Sequence, residues 1–178
     1  MARRIVLLRG INLAGRNRIA MPALREALAD AGFGEVRTYV QSGNVVVSSD
    51  ASPQQVARKC ELEIKNRFGL DIPVVVRTRD DLAEIVERNP LGEVAVNPKR
   101  YQVNFLDAPP DDDLVRKLEE AAVEPERYVV AGREIYTWHP ESIARSKLWA
   151  LLAGRRLGVT ATARNWTTVT KLLAMANL

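Results

Sequence analysis

Three short apolar runs along the chain are each closed by polar residues. Ile5-Val6-Leu7-Leu8 is closed by Arg9, Val45-Val46-Val47 by two serines, and Val74-Val75-Val76 by Arg77. Short apolar runs bounded by polar residues read as strands, and the first of them as a central strand covered on both faces. Between the runs lie stretches of helical period. Leu24, Ala27, Leu28 and Ala31 recur behind Pro22, which suits the first turn of a helix. Val56, Cys60, Ile64 and Phe68 recur behind Pro53, with Ser52 as the expected N-cap.

This pattern predicts a strand at Arg3–Arg9, a helix from Pro22 to the glycines at 32 and 34, and a hairpin of Val36–Val40 and Val45–Ser49. A helix at Pro53–Phe68 and a strand at Ile72–Arg77 complete the half. The order βαββαβ is the split βαβ, or ferredoxin-like, arrangement. After a helix at Asp80–Arg88 the order begins again. Tyr101–Leu106 alternates as a strand, and Asp111–Ala122 opens with three aspartates that favour a helix N-terminus. Arg127–Val130 and Glu134–Trp138 form a second hairpin, followed by a helix at Ser146–Ala153 with no further clear strand. A last helix is expected at Asn165–Ala176 on the spacing of Val169, Leu172, Leu173 and Ala176.

The fold class expected is therefore α+β, with two fused ferredoxin-like (βαββαβ-type) subdomains, the second modified at its C-terminal end by an extra helix. The expected division is 1–79 for the first subdomain, 80–100 for a helical connection and 101–178 for the second subdomain.

Charge adds a second pattern beneath the net value of +4. Residues 1–40 carry seven basic and three acidic side chains, and residues 41–140 carry 13 basic and 18 acidic. From Ser142 to Leu178 there is no Asp or Glu, yet Arg145, Lys147, Arg155, Arg156, Arg164 and Lys171 are present. Two cationic ends around an acidic body would attract an anion if the fold joined them; scattered surface arginines are the plainer alternative. The single Cys60 excludes an intrachain disulfide, and with one histidine, His139, there is no Cys- or His-rich metal site. No cofactor is implied. No apolar run reaches the roughly 18 residues that span a bilayer, so no membrane partner is expected and a cytoplasmic location is the default.

Four polar clusters could carry function. The loop Arg9, Gly10, Asn12, Gly15, Arg16, Asn17, Arg18 feeds a helix N-terminus, which suits an anion, although it matches neither dinucleotide nor P-loop spacing. A solvated turn would explain the same glycines. The hairpin tip Gln41-Ser42-Gly43-Asn44 is foremost a turn, with Gln41 and Ser42 adding donors at its edge. Arg145-Ser146-Lys147 places Ser beside Lys, but neighbours in a helix diverge by about 100°, so Ser146 reads as an N-cap before a nucleophile. In Arg164-Asn165-Trp166-Thr167-Thr168, Asn165 suits an N-cap and Trp166 either stacks on a base or fills the core. A helix begun one turn early would set Arg164, Thr168 and Lys171 on one face.

The segments Leu7-Leu8-Arg9-Gly10-Ile11-Asn12, Tyr39-Val40-Gln41-Ser42-Gly43-Asn44, Ser146-Lys147-Leu148 and Ala161-Thr162-Ala163-Arg164-Asn165-Trp166 together resemble the bacterial "domain of unknown function 1697" family, in order and over essentially the whole chain. The resemblance implies two fused ferredoxin-like subdomains and leaves activity open, because the family is named for its missing function. On it, Arg9, Gly10, Asn12, Gln41, Ser42, Gly43, Asn44, Ser146, Lys147, Arg164, Asn165 and Trp166 occupy the signature positions, while Ser142 departs from a glycine expected soon after Pro140.

The leading expectation is a basic groove that binds nucleic acid or a phosphorylated small molecule. Arg9, Arg16, Arg18, Lys147, Arg164 and Lys171 would meet phosphates, Trp166 would stack, and Asn12, Gln41 and Asn44 would read polar edges. The alternatives are an enzyme acting on a nucleotide or phosphate ester, and a protein-interaction or dimerisation module pairing through hairpin edges.

Overall fold

The computed structural model describes residues 1–178. The chain divides into two compact units, one of Met1–Ala83 with Lys171–Leu178 and one of Glu84–Thr170.

In the first unit, β1 (Ala2–Leu8), β2 (Gly34–Tyr39), β3 (Asn44–Ser49) and β4 (Val74–Thr78) form one antiparallel sheet in the order β2-β3-β1-β4. Helices α1 (Met21–Asp30) and α2 (Pro53–Phe68) make the two crossovers. This is the complete ferredoxin-like βαββαβ topology. The pleat sorts side chains by parity. Val6 pairs with Val45 and Val76, and these join Leu8, Val47 and Val74 on the face that packs against Leu24 and Leu28 of α1 and Val56, Cys60 and Ile64 of α2. Ile5, Leu7, Val46 and Val75, of the opposite parity, are buried as well, as the continuous apolar runs require. Each fully buried Val, Leu or Ile contributes about 1.5–3 kcal/mol.

Local chemistry sets the ends of α2. The Ser52 hydroxyl accepts from the Gln55 backbone amide, and the Ser52 backbone amide donates to the Gln55 side-chain oxygen, a capping box. Gly69, left-handed at φ 71°, ends the helix. Burial pushes the Cys60 thiol up to about 12, so it is a small core side chain and not a nucleophile.

In the second unit, β5 (Tyr101–Leu106), β6 (Arg127–Ala131), β7 (Glu134–Trp138) and β8 (Ala161–Asn165) repeat the topology in the order β6-β7-β5-β8. Helices α4 (Asp112–Ala121) and α5 (Lys147–Ala153) make its crossovers. Leu106, Ile135 and Ala161 pack with Leu114, Leu118, Leu148 and Leu152. Asp111 caps α4 by accepting from the Leu114 amide, and Ser146 caps α5 by accepting from the Trp149 amide.

The structure departs from the sequence reading at one strand. The second unit does have its fourth strand: β8 pairs with β5, Ala161 opposite Leu106 and Arg164 opposite Val103. Two alanines, a threonine and an arginine present no apolar run, and the segment extends because the open edge of β5 supplies a ladder. Arg164 therefore lies on a strand, so it cannot share a helical face with Thr168 and Lys171.

By compactness the division between the units falls inside α3 (Arg79–Arg88), and the end of α6 (Trp166–Ala176) is grouped with the first unit. There Arg79 donates to the Asn177 side chain at 2.6 Å and Arg3 to the Leu178 carbonyl at 3.3 Å. No helix is long and apolar enough to cross a membrane.

Candidate functional site

The first unit holds a cavity of about 520 Å³ between the β1–α1 loop, the start of α1 and the tip of the β2–β3 hairpin. Its lining runs from Asn12, Gly15 and Arg18 through Ile19, Ala20, Met21 and Pro22 to Gln41.

The loop is folded by its own asparagines. Asn17 donates to the Gly10 carbonyl at 3.0 Å, and the Asn12 amide donates to the Asn17 carbonyl at 3.1 Å. The Asn12 side chain accepts from the Ile19 amide at 2.9 Å and donates to the Ile19 carbonyl at 3.0 Å and the Gln41 carbonyl at 2.7 Å. Both amide hydrogens and the oxygen are thereby used. Asn12 is a clamp that holds hairpin tip and loop together, and it shapes the cavity without offering its amide to it.

Asn44 plays a similar internal part. Fully buried, it donates to the Tyr39 carbonyl at 3.1 Å and the Ser42 hydroxyl at 2.8 Å, closing the turn. Gln41 and Ser42 stand exposed at the tip.

The start of α1 has an unusual character. Its N-cap is Ala20, which offers no side-chain bond to the first turn, and that turn contains no acid. The first amides of a helix carry partial positive charge and seek acceptors. Arg18 is exposed beside them, its guanidinium lying over Gly15, where a Cβ would stand 3.3 Å from Nη2. Pro22 removes one N–H from the first turn of α1 and the Leu24 amide donates to the Ala20 carbonyl at 3.0 Å, so the corner is cationic through Arg18 and the few first-turn amides that remain. Arg9 and Gly10 are half-buried at the root of the loop, the Arg9 amide donating to the Pro73 carbonyl at 2.9 Å, and Arg16 is exposed. Lys171 is exposed on α6.

The second unit carries the remaining signature residues in mainly architectural positions. Arg164 is 8% exposed and donates to the Thr162 hydroxyl at 2.7 Å and the Ala163 carbonyl at 2.9 Å. Burial lowers its pKa to about 10, which leaves it charged at neutral pH. Asn165 accepts from the Thr168 amide at 2.9 Å and so caps α6. Trp166 stacks on the buried Tyr101, ring centres 4.7 Å apart at 18°. Its amide donates to the Pro98 carbonyl at 3.1 Å. Ser146 is buried as a cap, beside the exposed Lys147.

Sequence reasoning missed one polar chain in this unit. Buried His139 places Nδ1 2.6 Å from a Glu126 carboxylate oxygen and Nε2 3.0 Å from the Thr137 hydroxyl, which also lies 3.4 Å from the Asn104 amide nitrogen. The i, i+2 spacing of Thr137 and His139 was the available signal; Glu126, on the far side of the hairpin, gave none. Thr137 is 1% exposed, so the chain fastens the sheet and is not a nucleophile at a surface. Glu126 also lines a cavity of about 290 Å³ with Glu124, Glu141, Ser142, Arg145 and Ser146. Three carboxylates against one arginine make it a poor place for an anion.

The family described as "Protein of unknown function (DUF1697)" matches residues 1–136. No curated protein matches the chain. Among solved structures, a conserved bacterial protein, SP0830 from Streptococcus pneumoniae, superposes with a TM-score of 0.80 at 23% identity, covering 98% of each chain. At that identity the likeness concerns the fold.

Proposed function

The chain belongs to the DUF1697 family, whose description assigns no activity, and from the geometry of its first unit we propose that it binds a phosphorylated small molecule in the β1–α1 cavity. The observation that carries this reading is the meeting of Arg18, exposed Gln41 and the side-chain-uncapped start of α1 around a single cavity of about 520 Å³. Backbone amides at a helix start, reinforced by a guanidinium, suit a phosphate dianion. At about 520 Å³ the cavity is an open cleft with room for a small ligand. The absence of an Asp or Glu from the cavity lining supports the same sign of charge.

A small ligand is favoured over a nucleic acid by the surroundings of the expected base-reading groups. One face of Trp166 is stacked on Tyr101, Arg164 is buried in β8, and the Asn12 and Asn44 amides are bonded within the fold. Calorimetric titration with AMP tests the reading. Binding is expected, with Arg18→Gln weakening it at least about tenfold, the loss of one charge-assisted hydrogen bond. AMP binding untouched by Arg18→Gln, or no binding of any phosphate ester, overturns it. An oligonucleotide bound with a salt slope near −3.6, a loss of roughly 150-fold between 50 and 200 mM salt, would instead mark a polymer held on about four phosphates.

A further inference from the structure

Resting on the phosphate reading above, we infer that the ligand carries a flat, apolar-faced ring, as a nucleoside monophosphate does, and that Leu13 and Val40 form the rim on which this ring sits. The cavity lining mixes two characters. Arg18, Gln41 and the backbone at the start of α1 are polar, while the side chains of Ile19, Ala20, Met21 and Pro22 are apolar. A bare phosphate or a sugar phosphate would meet the polar groups and leave the apolar side chains against water.

The rim continues the apolar side. Leu13 is 60% exposed and Val40 53% exposed. Each directly adjoins a lining residue in sequence, Leu13 next to Asn12 and Val40 next to Gln41. The 2.7 Å bond from the Asn12 side chain to the Gln41 carbonyl ties the two tips to each other. The two exposed apolar side chains therefore sit on loops fastened at the mouth of one cavity.

Val40 is held in the left-handed region at φ 49°. A β-branched residue is a marked outlier there, and half-exposure means that core packing does not compensate it. Glycine or asparagine would make the same turn with less strain. What valine adds at this place is an apolar surface beside a cationic pocket, and a nucleobase or similar ring linked to a phosphate has the matching arrangement of charge and apolar face.

The experiment compares AMP with ribose 5-phosphate by calorimetry on the full chain, in the native sequence and in the Leu13→Ala and Val40→Gly variants. AMP is expected to bind at least about tenfold tighter than ribose 5-phosphate, a modest yield for one buried ring. Each rim variant is expected to shrink that ratio at least about threefold, because the changed side chain meets the ring and not the phosphate. Equal affinities for the two esters in the native sequence overturn the ring inference and leave the phosphate reading standing. A ratio unmoved by both variants assigns the ring to another surface and overturns the role of the rim. If neither ester binds, both readings fall together.

Discussion

Gly43 shows how a single residue can be fixed by its neighbours. It lies at φ 85°, and a Cβ built on it would stand 2.7 Å from the Leu8 Cβ and 3.1 Å from the Ile11 side chain. Gly10, at φ 70°, has nothing within 4 Å of the same position. Gly43→Ala is therefore expected to cost about 2–4 kcal/mol, from left-handed strain plus a clash with the Leu8 Cβ, whereas Gly10→Ala costs about 1–2 kcal/mol from strain alone. Urea denaturation of the two variants checks this, and equal losses would show that the hairpin tip yields to admit a methyl group. The sequence marked both glycines as turn residues; only the packed neighbours separate them. In the same way, Asn12 and Asn44 were legible as polar residues at loop tips, but their partners, the carbonyls of Gln41 and Tyr39, were not. A side chain's donors can be counted from its formula, while what consumes them depends on loops distant in sequence.

Among the elements, α1 differs from α2, α4 and α5, whose N-termini are capped by Ser52, Asp111 and Ser146. Ala20 gives α1 no such bond. Ala20→Asp should supply one and stabilise the protein by about 1 kcal/mol, through the cap and through a negative charge at the helix start. The same carboxylate would occupy the place proposed for phosphate, so AMP affinity is expected to fall at least about tenfold while the melting temperature rises. Stabilisation with unchanged AMP affinity would move the phosphate away from this helix. The helices themselves were readable because 3.6-residue periodicity and cap residues are local signals. β8 was not, because its alanines and Arg164 form a strand only when β5 offers an edge to pair with. A weak segment takes the conformation its partner imposes.

Across the whole molecule, the chain leaves the first unit within α3 and returns to it for its last eight residues, Lys171–Leu178. Leu172 and Ala176 in this segment are buried, and Asn177 and the Leu178 carbonyl accept from Arg79 and Arg3. A chain ending at Thr170 is expected to lose about 2–4 kcal/mol, chiefly the burial of Leu172. Hydrogen exchange should show the loss first in β1 and α3; protection identical to that of the full chain would make the C-terminal turns dispensable. The sequence by itself determined two rounds of ββ-hairpin and helix, the capped helix starts, the buried Cys60 and the cationic, acid-free tail, because periodicity, turn chemistry and composition act over a few residues. Tertiary structure alone decided that Ala161–Asn165 is a strand, that Trp166 lies on Tyr101, that Arg164 is buried and that the C-terminal turns belong with the first unit. Each of these depends on surfaces supplied by residues far away in the chain, and no local pattern can encode a partner that only folding brings near.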